Sequence, residues 1–192
     1  VFNGGFSGNT SAQLATNAKL QRIFDYNPNV IICMLGGNDT GAAGTVGTFS
    51  NLSGEPLVTE TNIAADYAGT YYIQAISHTI RKIKAQYYNI RTRANLTGSE
   101  TEAEKTAKID AVLKPYFIFC TPLAQQRNNS TDAFSLVANN IRKRDAVVEC
   151  CLKYDIPCVD LYYNTDIDMS LEPFWVSPTQ VDNNRGVYTM DG

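Results

Sequence analysis

The sequence lacks three features that would place it in a broad functional class. It has no apolar run near the roughly 20 residues that a membrane-spanning helix needs. It has no basic excess, since 16 Lys and Arg stand against 19 Asp and Glu, so no nucleic-acid-binding surface is expected. It has one histidine, His78, with no cysteine near it in sequence, which argues against a zinc site. We therefore expect no membrane partner, no nucleic-acid partner and no metal site.

Cysteine is present, but not in the pattern of a disulfide framework or a zinc ribbon. The number of cysteines is odd, no Cys-x-x-Cys occurs, and two of the five lie inside apolar runs. This usage predicts buried free thiols in a protein made in a reducing compartment, without fixing its location further. The five are Cys33, Cys120, Cys150, Cys151 and Cys158.

Apolar runs alternate with amphipathic stretches along the chain. Strands are predicted at residues 30–35, 116–120 and 156–161, and helices at residues 11–26, 64–88 and 131–154. The first run is continuously apolar, as in a strand that is buried on both faces. Strands that alternate with helices of this length indicate βαβ units and a mostly parallel sheet. With no composition shift or repeat, residues 1–192 are predicted to be a single α/β domain.

Two glycine-rich motifs stand where ligands bind in such sheets, beyond the carboxyl ends of strands. Gly8 lies in residues 3–10, just before the first predicted helix, and Asn38 follows the first strand in Gly36-Gly37-Asn38-Asp39. A glycine N–H and an asparagine amide are suitable donors for an oxyanion hole in ester hydrolysis. Each motif alone fits an ordinary turn equally well.

Taken together and in this order, the motifs resemble the SGNH (GDSL-like) hydrolases. That family carries a Gly-Asp-Ser block, a glycine block, a Gly-x-Asn-Asp block and a terminal Asp-x-x-His. Residues 3–10 look like the second block, Gly36-Gly37-Asn38-Asp39 like the third, and Met190-Asp191-Gly192 like the opening of the fourth. Thr121-Pro122 and Val159-Asp160-Leu161-Tyr162 are typical of its later strands. The resemblance implies a three-layer sandwich with a flavodoxin-like, mostly parallel sheet that lacks its first strand.

The resemblance also implies roles for particular residues. Gly8 and Asn38 would be the oxyanion donors, and Asp191 would be the carboxylate that orients the catalytic histidine. The residues expected to contact substrate are Asp39, Thr40 and Trp175. The implied activity is removal of an acyl group, above all acetyl, from an oxygen ester without a cofactor. Aromatic residues near the carboxyl terminus favour a carbohydrate ester, although packing of a long loop explains them equally well.

The sequence departs from the family at two essential positions. No Gly-Asp-Ser occurs, and the chain stops at Gly192, two residues before the family's histidine. Since both gaps fall at the ends, we expect a domain truncated at both ends, whose first strand comes from the parent chain or a neighbouring chain. Ser7 is interpreted as a turn or cap residue, because Asn9 stands where a nucleophile elbow needs glycine. His78 is predicted to point into solvent from the helix at 64–88.

Two charged segments are assigned to solvated surface. Asp166, Asp168 and Ser170 are spaced like the start of a calcium loop, but Leu171 occupies the position that needs glycine. A solvated acidic loop is the preferred interpretation. The run Arg142-Lys143-Arg144 is predicted to lie on the solvent face of its helix.

A second function from another class stays open. Because a fold does not fix a function, the chain is also compatible with a non-catalytic binding or structural module of a larger surface or virion protein. The residues that flank the sequence in its parent protein would decide between the two.

Overall fold

The computed structural model describes residues 3–6, 8–26, 28–39, 46–55, 66–88, 94–111, 116–123 and 133–164. The described strands are β1 (Val30–Met34), β2 (Tyr116–Cys120) and β3 (Cys158–Val159). The described α-helices are α1 (Ser11–Leu14), α2 (Asn17–Phe24), α3 (Tyr72–Tyr88), α4 (Glu102–Asp110) and α5 (Ala133–Tyr154). A 3-10 helix spans Phe49–Leu52. None of the helices within these ranges is long and apolar enough to cross a bilayer.

The three strands form one parallel sheet in the order β1-β2-β3. Val30 pairs with Tyr116 at the start of the β1–β2 ladder, and Phe119 pairs with Cys158 between β2 and β3. Long helices lie between successive strands in sequence, as parallel pairing requires. The predicted α/β class with a parallel sheet is therefore confirmed. The third strand is shorter than predicted, with two residues in the ladder instead of six.

The core lies between one face of the sheet and the pair α3 and α5. Isoleucines one helical turn apart make α3 buried along its length, as its spacing predicts. Full burial of such side chains contributes about 1.5–3 kcal/mol each. The main contributors are Ile31, Phe117 and Phe119 of the sheet, Ile73, Ile76, Ile80 and Ile83 of α3, and Ala146, Val147, Cys150 and Cys151 of α5.

The opposite face of β1 is open. Val30, Ile32 and Met34 are 53%, 69% and 52% exposed, while Ile31 between them is buried. The prediction of a strand buried on both faces is therefore wrong for the described structure. Apolar composition favours burial but cannot supply a covering layer, and no described helix covers these three side chains. Among the described elements, the α3–α5 pair packs on the buried face of the sheet.

The helix boundaries differ from the sequence prediction in two places. The helix predicted at residues 11–26 is divided, because α1 ends at Leu14 and α2 begins at Asn17. The helix predicted from residue 64 begins at Tyr72. Residues 66–71 just before it have no regular secondary structure, and the Tyr67 N–H donates to the carbonyl oxygen of Ala15 at 3.3 Å.

Candidate functional site

The two glycine-rich motifs meet at the carboxyl end of β1. The Asn38 side-chain amide donates to the backbone oxygen of Asn9 at 3.3 Å, across 29 residues of sequence. Asn38 is half-buried there, and Gly8 precedes the residue that it contacts. The chain therefore brings Gly8 and Asn38 to the carboxyl end of the strand, which is where ligands bind in open parallel sheets.

Gly8 has the backbone conformation that glycine tolerates best. Its φ is +74°, in the left-handed region, and it is exposed. The Asn9 N–H closes the adjacent turn onto the Phe6 oxygen at 3.4 Å, and Thr10 then caps α1. Within the described ranges, the Gly8 N–H donates to no acceptor, so it is available to a bound group.

Asp39 has a structural contact that the sequence did not reveal. Its carboxylate accepts the Ser11 N–H at 3.0 Å and the Ser11 hydroxyl at 2.9 Å. Ser11 is 1% exposed, so these bonds fix the start of α1 against the segment that follows β1. The substrate contact predicted for Asp39 stays a prediction. In the structure its carboxylate instead binds Ser11 at the start of α1.

A cavity of about 930 Å³ lies beside β1. Every residue from 28 to 38 lines it, together with residues 3–6 and parts of α2 and α3. Side chains of a strand alternate between its faces, so a cavity against one face would be lined by alternate residues only. A cavity lined by consecutive residues runs along the edge of the strand, where backbone N–H and C=O groups are within reach. Its walls carry Leu20, Ile23 and Ile83 and are mostly apolar.

The ends of β2 and β3 are tied by a polar network. The Thr121 hydroxyl donates to Asp160 Oδ1 at 3.0 Å, and the Arg144 Nε donates to Asp160 Oδ2 at 2.9 Å. The Tyr162 N–H in turn donates to the Thr121 hydroxyl oxygen at 3.1 Å. Burial opposes ionisation of Asp160, but the hydrogen bonds from Arg144 and Thr121 outweigh it and lower its pKa. The predicted solvent-face position of Arg144 is therefore only half right, because its head group is engaged in an ion pair.

Lys143 is the clearest correction among the charged residues. It was expected on the solvent face of its helix, but it is 6% exposed. Its Nζ donates to the Gly36 oxygen at 3.2 Å, in the loop that carries Asn38. The spacing of the buried residues Ala146, Val147 and Cys150 contains the missing signal. Lys143 precedes them by three, four and seven residues, which places it on the same helical face.

His78 also differs from its prediction. It is half-buried rather than solvated, because Tyr67 packs beside it with the two ring centroids 5.8 Å apart. Its Nε2 atom is buried and has no hydrogen-bond partner among the residues that the structure describes. Burial, followed by the nearby charges of Lys82 and Arg81, lowers its pKa to about 4. His78 does not line the cavity beside β1, so it is not positioned as a base for chemistry there.

Several predicted residues lie outside the described ranges. These are Ser7, Thr40, Asp191, Trp175 and the acidic segment at residues 166–172. Over the described part of the chain, no group of three or more His, Cys, Asp or Glu side chains could hold a metal ion. The five thiols are free, as predicted; three are buried, Cys33 is half-buried and Cys158 is exposed.

No family model, curated protein or solved structure matches this chain. A function must therefore be argued from its own residues.

Proposed function

We propose that this chain is most of an SGNH-type serine esterase domain, which removes an acyl group, preferably acetyl, from an oxygen ester. The observation that carries the proposal is the 3.3 Å contact between Asn38 and the backbone of Asn9, next to Gly8. Two short motifs that resemble separate blocks of the family converge at one end of one strand. This contact supports the proposal because the resemblance requires Gly8 and Asn38 to lie together.

The oxyanion hole would consist of the Asn38 amide and the Gly8 N–H. Ester hydrolysis passes through a tetrahedral intermediate whose oxygen becomes negative, and fixed donors stabilise that charge. Gly8 suits this role because its φ is positive and its N–H donates to no acceptor among the described residues. The Asn38 side-chain amide donates a hydrogen bond to the Asn9 backbone oxygen, which fixes the direction of the side chain. Asp191 would hold the catalytic imidazole in its useful tautomer.

The serine and the histidine would come from polypeptide outside the 192 residues, which contain no Gly-Asp-Ser and no histidine besides His78. The cavity beside β1 supports a particular location for the serine. A strand laid along residues 30–34 would pair with the exposed edge and end close to Asn38. That strand, from the parent chain or a neighbouring chain, would complete the flavodoxin-like sheet, to which the parallel order β1-β2-β3 is already suited.

The substrate would be a small-molecule or carbohydrate ester. The apolar walls of the cavity would provide a surface against which the apolar face of a sugar ring packs. A strand and a substrate cannot fill the same volume. The substrate would therefore bind at the open end of the cavity, near Asn38.

The test uses the full-length protein with a serine-directed fluorophosphonate and acetylated oligosaccharides. We expect one labelled serine outside residues 1–192 and release of acetate, while the chain 1–192 alone neither reacts nor turns over. His78→Gln serves as the control and should keep full activity. Labelling of Ser7 would instead make that residue the nucleophile.

If the full-length protein has no reactive serine and releases no acetate, the non-catalytic module is the better assignment. The observation that favours this alternative is the absence of both family catalytic residues from the 192 positions. Binding of unhydrolysed oligosaccharide, measured by calorimetry, would then identify the module's ligand class.

A further inference from the structure

Lys143 is a lysine in an unusual place. Lysine is seldom buried unless its ammonium group is paired or hydrogen-bonded, because the charge loses its hydration. Lys143 is 6% exposed, and its Nζ reaches across from α5 to the Gly36 oxygen at 3.2 Å. Its neighbour Arg142 is exposed, so the burial is specific to this position on the helix.

The backbone at Leu35 and Gly36, to which Lys143 donates, has further contacts that restrict it. The Tyr72 hydroxyl of α3 donates to the Leu35 oxygen at 3.0 Å. Gly36 has a φ of +124°, and a Cβ atom there would lie 2.7 Å from the Tyr72 hydroxyl oxygen and 3.3 Å from a side-chain carbon of Pro122. The chain leaving β1 therefore has little freedom at this point.

The Gly36 oxygen has a second donor that connects it to the candidate site. The Asp39 N–H donates to the same oxygen at 3.3 Å and closes a turn around Gly37 and Asn38. Lys143 thus holds the acceptor on which this turn closes. Movement of the Gly36 carbonyl would move the turn, and with it the Asn38 amide.

We infer that Lys143 is a positioning residue that fixes the Gly36–Asp39 turn and so aims the Asn38 side chain at the oxyanion. This inference rests on the proposed esterase function. Lys143 touches neither substrate nor reacting atoms in this scheme and acts only through Asn38. A displacement of about 1 Å at a reacting centre lowers rates by about 100-fold, so a lost anchor should be visible in kcat.

The test is a double-mutant cycle in the full-length protein, with Lys143→Met and Asn38→Ala. Lys143→Met alone should lower kcat by about 10- to 100-fold with little change in KM. In the Asn38→Ala background it should lower kcat by less than about 2-fold, because residues that act through one another are not additive. Lys143→Arg, which keeps a cationic donor, should recover most of the lost activity.

Lys153 provides a matched control on the same helix. Its Nζ also donates to a backbone oxygen, that of Leu52 at 2.8 Å, away from the turn. Lys153→Met should leave kcat within about 2-fold of the wild type. If the Lys143→Met and Asn38→Ala losses simply multiply, or if Lys143→Met leaves kcat unchanged, the inference is overturned.

Amide hydrogen exchange separates this inference from the proposed function. In Lys143→Met the Asp39 amide should exchange faster by about 10-fold or more, because its acceptor is no longer anchored, and in Lys153→Met it should not. A full-length protein without esterase activity but with this exchange pattern would refute the function and keep the anchor. Unchanged exchange at Asp39 in a folded Lys143→Met variant would refute the anchor whether or not the protein is an esterase, and so would exchange in Lys143→Arg as fast as in Lys143→Met.

Discussion

The carboxylate of Asp39 holds Ser11 by two groups at once, the backbone N–H and the side-chain hydroxyl, at 3.0 and 2.9 Å. The Asp39 side chain thereby links the start of α1 to the segment after β1, 28 residues away in sequence. Because Ser11 is fully buried, both donors depend on this carboxylate for their hydrogen bonds.

Asp39→Ala should therefore destabilise the full-length protein. Buried donors left without an acceptor cost about 1–3 kcal/mol, so the free energy of unfolding in urea should fall by about that amount. Asp39→Asn keeps one acceptor oxygen and should lose less. The exposed carboxylate of Asp25 gives the control, since Asp25→Ala should change stability by less than about 0.5 kcal/mol. Equal stability of the Asp39 and Asp25 variants would contradict the assigned contact.

Asn38→Ala should lower kcat of the full-length esterase by about 100- to 1,000-fold and leave KM nearly unchanged. The reason is that an oxyanion donor strengthens its hydrogen bond only as the negative charge develops. Initial rates on an acetyl ester over a range of concentrations give both constants. Activity within a few-fold of the wild type would reduce Asn38 to a turn residue.

His78 should titrate far below an ordinary histidine. Its pKa of about 4 lies below the usual 6.5, so the unfolded chain takes up the proton first as pH falls. The free energy of unfolding should therefore decrease between about pH 6.5 and pH 4 in the wild type, relative to His78→Gln, and the difference should be constant above pH 7. Two-dimensional NMR of the imidazole measures the pKa directly. A midpoint near 6.5 would mean that the ring is solvated.

Cys158 should be the first thiol to react with iodoacetamide at neutral pH. A hydrogen bond from Cys151 lowers the pKa of Cys158, and the residue is exposed. Burial instead raises the pKa of Cys33 to about 12, and Cys150 is fully buried. Peptide mass spectrometry at short times should find the label on residue 158 and lose it in Cys158→Ser. Earlier labelling of Cys33 would be the contrary result.

Residues 1–192 expressed alone should lack a cooperative unfolding transition, whereas the same residues together with the proposed filling strand should show one. An apolar strand face left in water, with Val30, Ile32 and Met34 more than half exposed, forgoes about 1.5–3 kcal/mol of burial for each such side chain, and a domain has only about 5–15 kcal/mol in total. Circular dichroism during a urea titration makes the comparison. A sharp transition in the isolated segment would show that no further strand is needed.

The fold class and the strongest helix were predictable because their signals are local. The isoleucine spacing of α3 places its buried face correctly from Ile76 to Ile83. The proximity of Gly8 and Asn38 was expected only from the family resemblance, since no local pattern links the two segments, and the contact of Asn38 with Asn9 was not predicted. Asp39 and Ser11 were not paired in advance, because a carboxylate after a glycine pair is usual in solvated turns.

The remaining errors have a common physical origin in long-range packing. Lys143 was assigned to solvent by its charge, although its helical spacing from Ala146 and Cys150 places it inside. Leu152, whose apolar side chain by itself would favour the core, is 78% exposed. In both cases the neighbouring element decides burial, and hydropathy of the single residue does not. The prediction that β1 is buried on both faces failed for the same reason, because no described element covers Val30, Ile32 and Met34.

The exposed edge of β1, which pairs with no other described strand, also affects how the protein folds during synthesis. An uncovered apolar strand edge is a template for another chain, so copies of residues 1–192 with nothing seated on β1 would pair with each other and form aggregates. Chains emerge from the ribosome amino terminus first. A filling strand encoded before residue 1 would already be synthesised when residues 30–34 leave the ribosome. It would pair with β1 before a second copy of the chain could do so. A filling strand supplied by a separate chain would arrive only after release, and such a protein would need a chaperone to shield β1 in the interval.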